Sequence, residues 1–287
     1  MIYDTIIIGK GPAGISAAVY LVRSGRSVLV LGKDAGALER AESIENYYGF
    51  PENVSGAELA LRGIAQAERL GVTVLSEEIL HLGMDDVWSV KTTEGLYSTK
   101  TILIATGKSR TSINVPGFEQ YRGKGISFCV TCDGFFYRGK KLALLGAGSY
   151  AANEYSELLA FSEDITVFTN GAEITGSFPK NASIVTEKIT AFTGEDSVSA
   201  ITTAEGTVHA IQGVFVALGT AGAASFAATV GVELSGTDIV IDAQHMTNIP
   251  GVFAAGDCTG GFLQIAKAVS DGAHAAKGIN SYLKNIS

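Results

Sequence analysis

Cysteine and histidine are too few and too scattered in this 287-residue sequence to form a structural zinc site. The chain has three cysteines and four histidines, and two of the cysteines form the pair Cys129-x-x-Cys132, while Cys258 stands alone. A zinc site built on such a pair needs two further ligands, usually from a second Cys or His pair. We therefore predict that the pair is redox-active and that the protein holds no metal.

Long apolar runs are also missing. No stretch approaches the ~20 apolar residues that a membrane span requires, and residues 2–8 already have the pattern of a buried strand, which leaves no space for a signal peptide. We expect no membrane association and a cytoplasmic location, where a Cys pair is more often catalytic than structural. The formal net charge of −8 argues against nucleic-acid binding.

Positive charge is concentrated in one segment. Residues 100–141 contain eight basic residues against only Glu119 and Asp133, whereas residues 142–240 contain eleven acids and two lysines. These eight residues are either an ordinary solvated surface or a surface that steers an acidic partner to the dithiol. We name them the basic collar: Lys100, Lys108, Arg110, Arg122, Lys124, Arg138, Lys140 and Lys141.

The chain opens with the pattern of a dinucleotide-binding turn. A predicted strand over residues 2–8 is followed by Gly9-x-Gly11-x-x-Gly14, a helix over 15–23 and a strand over 27–31. In this context the glycines let the backbone approach a pyrophosphate, and the helix N-terminus supplies free N–H groups. The acid expected to hold the ribose would be Asp34, two or three residues beyond the strand end.

A second glycine turn predicts a second nucleotide-binding domain. Gly146-x-Gly148-x-x-Ala151 lies between an apolar strand and a helix over 152–160, and the strand ends at 101–107 and 214–219 resemble each other. A strand ending in Gly256-Asp257 and a helix over 264–283 close the chain. We predict an α/β protein with two Rossmann-like, three-layer ββα domains, the second inserted into the first. The predicted boundaries are 1–112 and 242–287 for the first domain and 113–241 for the inserted one.

Taken together, the motifs resemble the low-molecular-weight thioredoxin reductases. The resemblance covers nearly the whole chain in the same order, and it implies FAD as cofactor, a thioredoxin-type disulfide as substrate and a homodimer. The matching segments are the fingerprint at 9–14, Glu45-Asn46-Tyr-x-Gly-Phe-Pro51, Ala105-Thr106-Gly107, Cys129-x-Thr-Cys132-Asp-Gly-Phe-Phe136, the second fingerprint at 146–151 and Gly251-Val-Phe-Ala-Ala-Gly-Asp257.

The resemblance also implies a role for each matching residue. Cys132 would face the flavin, Cys129 would exchange with the partner disulfide, and Asp133 would shuttle the proton. Cys258, beside the FAD phosphates, is expected to be a small buried residue without a redox role. The residues expected to bind FAD are Gly9, Gly11, Pro12, Ala13, Gly14, Asn46, Ala105, Thr106, Gly107, Gly256, Asp257, Gln264 and Ile265.

One departure from the family concerns the electron donor. Relatives that use NADPH carry His-Arg-Arg and a further Arg after the second strand of the second domain, whereas here residues 168–173 are Phe-Thr-Asn-Gly-Ala-Glu and no arginine follows Arg138. Recognition of the 2′-phosphate relies on bidentate arginine, and the carboxylate that would hold the ribose of NADH is missing as well. In this loss the sequence resembles the ferredoxin-dependent flavin thioredoxin reductases, so we expect ferredoxin or a similar acidic carrier as donor.

Three alternatives remain at this stage. The chain could be an NAD(P)H-dependent thioredoxin reductase with an atypical nucleotide site, an FAD dithiol oxidase with oxygen as acceptor, or a flavin-binding redox sensor without turnover. The intact Cys-x-x-Cys-Asp disfavours the sensor, and the Asp-Gly-Phe-Phe after the dithiol disfavours the oxidase. His274 and Tyr282, on the last helix, are expected to serve packing or surface roles, with shielding of the flavin ring as the alternative for Tyr282.

Overall fold

A computed structural model describes residues 1–107, 113–128, 130–218, 226, 230–236 and 238–286, without the side chains of Arg40, Thr131 and Cys132. The chain forms two compact units. Unit 1 comprises Met1–Ser109 and Gly222–Ser287, and unit 2 comprises Arg110–Ala221. The inserted arrangement predicted from the sequence is confirmed, as is the mixed α/β class with two Rossmann-like domains.

The helices and strands of the described residues are numbered in chain order. The helices are α1 (Pro12–Arg23), α2 (Gly56–Arg69), α3 (Val130–Asp133), α4 (Ser149–Leu158) and α5 (Ile265–Asn285). The strands are β1 (Ile2–Ile8), β2 (Val28–Leu31), β3 (Thr73–Leu75), β4 (Ile79–Met84), β5 (Trp88–Thr92), β6 (Leu96–Ile104), β7 (Ile126–Ser127), β8 (Leu142–Leu145), β9 (Ile165–Phe168), β10 (Ser183–Val185), β11 (Ile189–Gly194), β12 (Val198–Thr203), β13 (Val208–Ala210), β14 (Gly213–Val216), β15 (Leu234–Ser235), β16 (Asp238–Ile239) and β17 (Val252–Ala254).

Unit 1 is built on a seven-stranded sheet. Its parallel part has the order β3-β2-β1-β6, and β17 pairs with the carboxyl-terminal half of β6, while β5 and β4 extend the sheet antiparallel. The strands β1 and β2 are apolar because helices cover the parallel part on its faces. All the carboxyl ends of β1, β2, β6 and β17 therefore lie along one edge, where a nucleotide binds in such sheets.

Three helices of unit 1 pack around this sheet. Ser55 caps α2, since its side chain accepts the N–H of Glu58 at 3.1 Å. The helices α1 and α5 are in close contact. They approach so closely at Gly272 of α5 that an added Cβ would overlap the Ala13 carbonyl oxygen of α1. This contact places the N-terminus of α5 beside the glycine turn that opens α1.

Unit 2 contains a five-stranded parallel sheet of order β10-β9-β8-β14-β7. A separate antiparallel sheet, β11-β12-β13, covers it and shares one core with it, centred on the buried rings of Phe118, Phe168 and Phe192. The helix α4 follows β8 through the second glycine turn, and the short helix α3 packs against α4. The Cys-x-x-Cys segment is therefore part of unit 2.

The second junction lies earlier than the sequence placed it. We expected the inserted domain to extend to residue 241, but unit 1 resumes at Gly222. The reason lies in the contacts of residues 231–239. Asn248 donates to the Gly231 carbonyl at 3.0 Å and accepts the N–H of Glu233 at 2.8 Å, and the hairpin β15–β16 packs on residues 257–259.

Candidate active site

The first glycine turn has the geometry of a dinucleotide-binding loop. Gly9 follows β1 with φ +112°, which side chains disfavour, and a Cβ there would come within 2.7 Å of the Ala105 carbonyl carbon. A Cβ at Gly14 would overlap the Gly9 carbonyl oxygen and approach Ile7 at 3.1 Å. These glycines permit the tight turn and the close packing of helix on strand that the fingerprint requires.

The space over Gly11 is open. Gly11 is the N-cap of α1 in an extended conformation, Pro12 occupies the first turn, and the first turn carries no acid. An added Cβ at Gly11 would meet nothing closer than the Ala35 oxygen at 3.9 Å. Free N–H groups at the start of a twelve-residue helix, reached across a glycine, suit a pyrophosphate.

A second loop of the predicted cofactor site adjoins α1. Gly256 follows β17 with φ +85°, and a Cβ there would approach Ala13 Cβ at 2.8 Å. Asp257 then begins a short 3-10 helix over Asp257–Thr259. The structure thus brings the turn at Gly256 and Asp257 to the fingerprint turn, although more than 240 positions separate them in the sequence.

Asn46 and Gln264 also come together. The Asn46 side-chain amide donates to Gln264 Oε1 at 3.0 Å, and Gln264 is the extended N-cap of α5. A cavity of about 470 Å³ lies beside this pair, and Gly11, Pro12 and Ile265 are among its lining residues. Its volume and largely apolar wall are those of a small-molecule site.

These residues fit FAD. The open space over Gly11 at the start of α1 matches a pyrophosphate. Thr106 Oγ1, at the end of β6 and next to Gly9, is buried without a hydrogen-bond partner in the described part of the chain. Such a group is costly unless a ligand satisfies it.

Lys267 is a site residue that sequence reasoning missed. Its ammonium group donates to the Gly256 oxygen at 3.0 Å, Thr259 Oγ1 at 3.0 Å and the Gly260 oxygen at 2.7 Å, and it pairs with Asp271 at 2.7 Å. Asp271 in turn accepts the Gly256 N–H at 3.1 Å. Lys267 therefore fastens the glycine–aspartate loop to α5. A lysine in a first helical turn opposes the helix dipole, and this anomaly is the signal that could have identified it.

Asp34, the sequence candidate for the ribose contact, is used locally. Its Oδ1 accepts the Gly36 N–H at 2.8 Å and its side chain is exposed. This is an Asx turn, a common use of aspartate at the start of a loop. The carboxylate therefore stabilises its own loop beyond β2.

The segment predicted to be redox-active, Cys129-x-x-Cys132, lies in unit 2. Cys129 and the Cys132 side chain lie outside the described residues. Asp133, at the end of α3, accepts a hydrogen bond from Ser127 Oγ at 2.6 Å. Burial, and then the charge of Asp133, raise the pKa of Tyr137. The predicted proton shuttle is therefore held by a hydroxyl on the neighbouring strand β7.

Two aromatic side chains follow the dithiol and face solvent. Phe135 is 63% and Phe136 is 68% exposed, and the Arg138 guanidinium lies 5.2 Å from the Phe135 ring centre. Gly134 before them cannot carry a side chain, because a Cβ would come within 2.6 Å of the Phe161 ring. Exposed aromatics beside an arginine are typical of protein-binding surfaces.

The second glycine turn differs from the first. The segment that follows β9 packs on this second turn: the N–H groups of Thr175 and Gly176 both donate to the Ala147 oxygen at 2.9 Å. A Cβ at Gly176 would overlap the Gly148 carbonyl oxygen and approach Ala152 Cβ at 3.1 Å. One side of this turn is therefore occupied by the protein itself.

The strand end beyond the second turn is also used for packing. Asn170 has φ +52° and its Oδ1 accepts the Ile189 N–H at 2.7 Å. The Gly171 N–H donates to the Thr186 oxygen at 3.0 Å. The position at which a nucleotide-binding side chain is expected thus holds a loop tied to β11.

The remaining candidates have packing roles in the structure. Cys258 is 1% exposed, its thiol contacts the Ile104 and Ala255 oxygens, and burial raises its pKa to about 12. A thiol that stays protonated is a poor nucleophile. Tyr282 packs on Phe253 with ring centres 6.0 Å apart, and His274 stacks on His245 at 5.9 Å.

A nucleotide-binding domain interrupted by a second one that carries a Cys-x-x-Cys defines a class, the flavin-dependent disulfide oxidoreductases. The chain matches the family model of the pyridine nucleotide-disulphide oxidoreductases over residues 3–272 and belongs to that family. Its members and the thioredoxin reductases are FAD-binding flavoproteins, and FAD is the cofactor of this chain. No helix in the described part is both long and apolar enough to cross a membrane.

The chain is similar to thioredoxin reductases along its whole length. It is 32% identical to the thioredoxin reductase of Treponema pallidum (strain Nichols), over 99% of this chain and 98% of that protein. Among solved structures, the atypical thioredoxin reductase from Desulfovibrio vulgaris Hildenborough is 42% identical, with a TM-score of 0.92 and coverage of 99% and 98%. A ferredoxin-flavin thioredoxin reductase from Clostridium acetobutylicum is 26% identical, with a TM-score of 0.74 and the same coverage.

Proposed function

We propose that this protein is a flavin-dependent thioredoxin reductase whose electrons come from ferredoxin or a similar small acidic carrier rather than from NADPH. Cys132 faces the flavin, Cys129 exchanges with thioredoxin, and Asp133 moves the proton. FAD is held by the turns at Gly9–Gly14, Ala105–Gly107 and Gly256–Asp257 together with Asn46, Gln264 and Ile265. When bound, FAD supplies a group that can take single electrons and return a pair to a disulfide.

The dithiol chemistry is a sequence of two exchanges. The Cys129 thiolate attacks one sulfur of the thioredoxin disulfide, which forms a mixed disulfide and releases one thioredoxin thiolate. Cys132 then attacks the Cys129 sulfur, which releases the second thioredoxin thiolate and leaves the Cys129–Cys132 disulfide oxidised. Two protons complete the thioredoxin dithiol, and Asp133, already hydrogen-bonded to Ser127, is placed next to Cys132 in the chain to transfer one of them.

The contrast between the two glycine turns is the observation that carries the donor proposal. At Gly11 the space over the turn is open, whereas Thr175 and Gly176 pack on the turn at Ala147 and Gly148. Asn170 and Gly171, at the strand end where the 2′-phosphate would be recognised, bond to their own unit, and no arginine follows Arg138. The likeness to a ferredoxin-flavin thioredoxin reductase supports the same donor.

The energetics permit this donor. Plant-type ferredoxin has a potential near about −400 mV, and thioredoxin has one near about −270 mV. A gap of ~130 mV over two electrons corresponds to about 6 kcal/mol in favour of reduced thioredoxin. The reaction therefore runs downhill without NADPH.

The basic collar suits an acidic partner. Within unit 2, Lys124, Arg138 and Lys141 are exposed, and Lys140 lies over the Tyr137 ring at 5.0 Å. The collar residues Lys108 and Arg110 lie outside the described residues, and Lys100 pairs with Asp4 of unit 1 at 2.8 Å. Docking is therefore assigned to the unit 2 part of the collar, around Lys140 and Lys141. We further propose that the protein is a homodimer and acts in the cytoplasm, whose reducing poise the dithiol needs.

The decisive experiment offers each donor separately. The FAD-loaded protein is mixed anaerobically with NADPH, NADH or reduced ferredoxin, and the visible flavin absorbance is followed before and after thioredoxin is added. We expect ferredoxin alone to bleach the flavin and thioredoxin to restore the colour as its thiols appear. Bleaching by NADPH within seconds would refute the donor, and bleaching by ferredoxin without thioredoxin reduction would refute the acceptor.

A further inference from the structure

Lys10 is a buried cation at the carboxyl edge of the unit 1 sheet. It is the second residue of the glycine fingerprint, it is 8% exposed, and it lies in the wall of the cavity that Gly11 and Pro12 also line. Its ammonium group donates to Ser76 Oγ at 2.6 Å. An ammonium group has three donors, and among the described residues Lys10 has this one side-chain partner and pairs with no carboxylate. A buried charge of this kind is costly unless a ligand completes its hydrogen bonds.

The Lys10 side chain crosses the end of one strand to reach the end of another. The strands β1, β2 and β3 are adjacent and parallel, and Leu31 of β2 pairs with Leu75 of β3. Gly32 directly follows β2, and a Cβ there would lie 3.3 Å from Lys10 Cγ and 3.2 Å from Lys10 N. The Lys10 side chain therefore lies against the backbone at Gly32 and ends at Ser76, the residue after β3. A larger residue at position 32 would crowd this path.

The end of β2 is the place where sheets of this kind hold the ribose of a bound nucleotide, usually through a carboxylate. The residues that follow β2 in this chain are engaged in other ways. Gly32 has no side chain, Lys33 pairs with the buried Glu78 at 3.1 Å, and Asp34 is held in its own turn. The side chain that lies over the strand end is that of Lys10.

We propose that Lys10 holds the ribose of the FAD adenosine: its ammonium group donates to a ribose hydroxyl oxygen, while Ser76 keeps the ammonium at the nucleotide-binding edge of the sheet. A hydroxyl accepts hydrogen bonds as well as donating them, so an ammonium group can take the place of the usual carboxylate. This assignment rests on the proposed FAD site, but on neither the electron donor nor thioredoxin.

The test compares affinities for two cofactors and needs no turnover. Full-length wild-type protein and Lys10→Met are loaded with FAD, or with an FAD analogue whose adenosine is 2′,3′-dideoxyadenosine. Each loaded protein is diluted, and the released flavin is measured by fluorescence to give a dissociation constant. We expect wild type to bind the analogue roughly tenfold more weakly than FAD, the usual effect of one lost hydrogen bond to a charged group. Lys10→Met should bind FAD roughly tenfold more weakly than wild type does, and its affinities for FAD and analogue should agree within about threefold, since the two changes remove the same hydrogen bond.

Lys277→Met, at an exposed position of α5, is the control and should keep the wild-type preference for FAD over the analogue. An equal loss of affinity for both cofactors in Lys10→Met would overturn the proposal, because the cation would then act on the phosphates or on the fold. Equal affinity of wild type for FAD and analogue would overturn it as well. If Lys10→Met does not load with flavin, Lys10→Ala takes its place with the same expectations. Failure of the proposed function is separate: it appears as a protein that prefers FAD over the analogue but does not pass electrons from ferredoxin to thioredoxin.

Discussion

The side-chain amide of Asn46 donates to Gln264 Oε1 at 3.0 Å, across 218 positions of sequence. The bond joins the loop after β2 to the N-cap of α5, next to the cavity that Gly11 and Ile265 line. Asn46→Ala should weaken FAD binding by the apoprotein roughly tenfold, the usual effect of one lost hydrogen bond and a less ordered loop. Fluorescence titration of apoprotein with FAD measures it. Asn53→Ala, in the same loop but bonded to Ser43, should leave the affinity unchanged, and equal losses in both variants would contradict the assignment.

Lys267→Met should destabilise the cofactor loop. The change removes the Lys267 donor from the Gly260 oxygen and the positive charge that pairs with Asp271, and a buried acceptor left unpaired costs about 1–3 kcal/mol. The Gly256 oxygen keeps the hydrogen bonds that it accepts from Thr259. We expect a lower melting temperature and weaker FAD binding, measured by thermal unfolding with and without excess FAD. Lys267→Arg should recover part of both. Lys277→Met, at an exposed position of the same helix, serves as control. If Lys267→Met has the same melting temperature and FAD affinity as this control, the hydrogen bonds of Lys267 do not stabilise the loop.

Substitutions of the three cysteines should differ in their effect on thioredoxin reduction. Cys129→Ser and Cys132→Ser should each abolish thioredoxin reduction while FAD stays bound, because each sulfur performs one of the two exchanges. Cys258→Ala should leave the turnover rate nearly unchanged, since the Cys258 thiol is buried and protonated. Turnover with thioredoxin and the flavin content of each purified variant are the measurements. Wild-type activity in Cys132→Ser would refute the dithiol mechanism.

Glu154 should make stability depend on pH. Its pKa rises from 4.5 in the unfolded chain to about 7 in the folded protein, so the folded state binds more protons between these values and stability falls as pH rises through that window. The stabilising contribution is present in full below about pH 4.5 and lost above about pH 7, and it amounts to about 3 kcal/mol. Glu154→Gln should therefore be more stable than wild type at pH 8 but not at pH 5, by thermal unfolding. An equal stability difference between variant and wild type at both pH values would argue against this prediction.

Charge reversal at Lys140 and Lys141 should slow reduction by ferredoxin. Steering of an acidic carrier depends on these charges, and the wild-type rate should fall steeply as salt passes ~0.1 M, where the Debye length is about 10 Å. Stopped-flow absorbance of the flavin measures the rate, and FAD binding should not change. Reversal of Lys277 and Lys284, exposed on α5, is the control. A rate indifferent to both salt and the Lys140 and Lys141 changes would place electron entry elsewhere.

Much of this protein could be predicted from short-range patterns. The fingerprint glycines, the helices that became α1 and α5, and the insertion of one domain into another follow from local rules, because a tight turn needs glycine and a helix needs its period. The short strands β4, β10 and β11 were not predicted. Their residues form strands because neighbouring strands complete their hydrogen bonds, and such pairing is set by tertiary context more than by propensity.

The sequence by itself therefore determined the chemistry: a Cys-x-x-Cys-Asp, a glycine turn for a pyrophosphate, and the lack of arginine after Arg138 are properties of residue type and spacing. Tertiary structure alone decided which distant residues share a site. The hydrogen bond between Asn46 and Gln264 and the one from Lys267 to Gly256 depend on how helices pack on sheets. No local pattern records these contacts, since the partners interact only after the chain between them has folded.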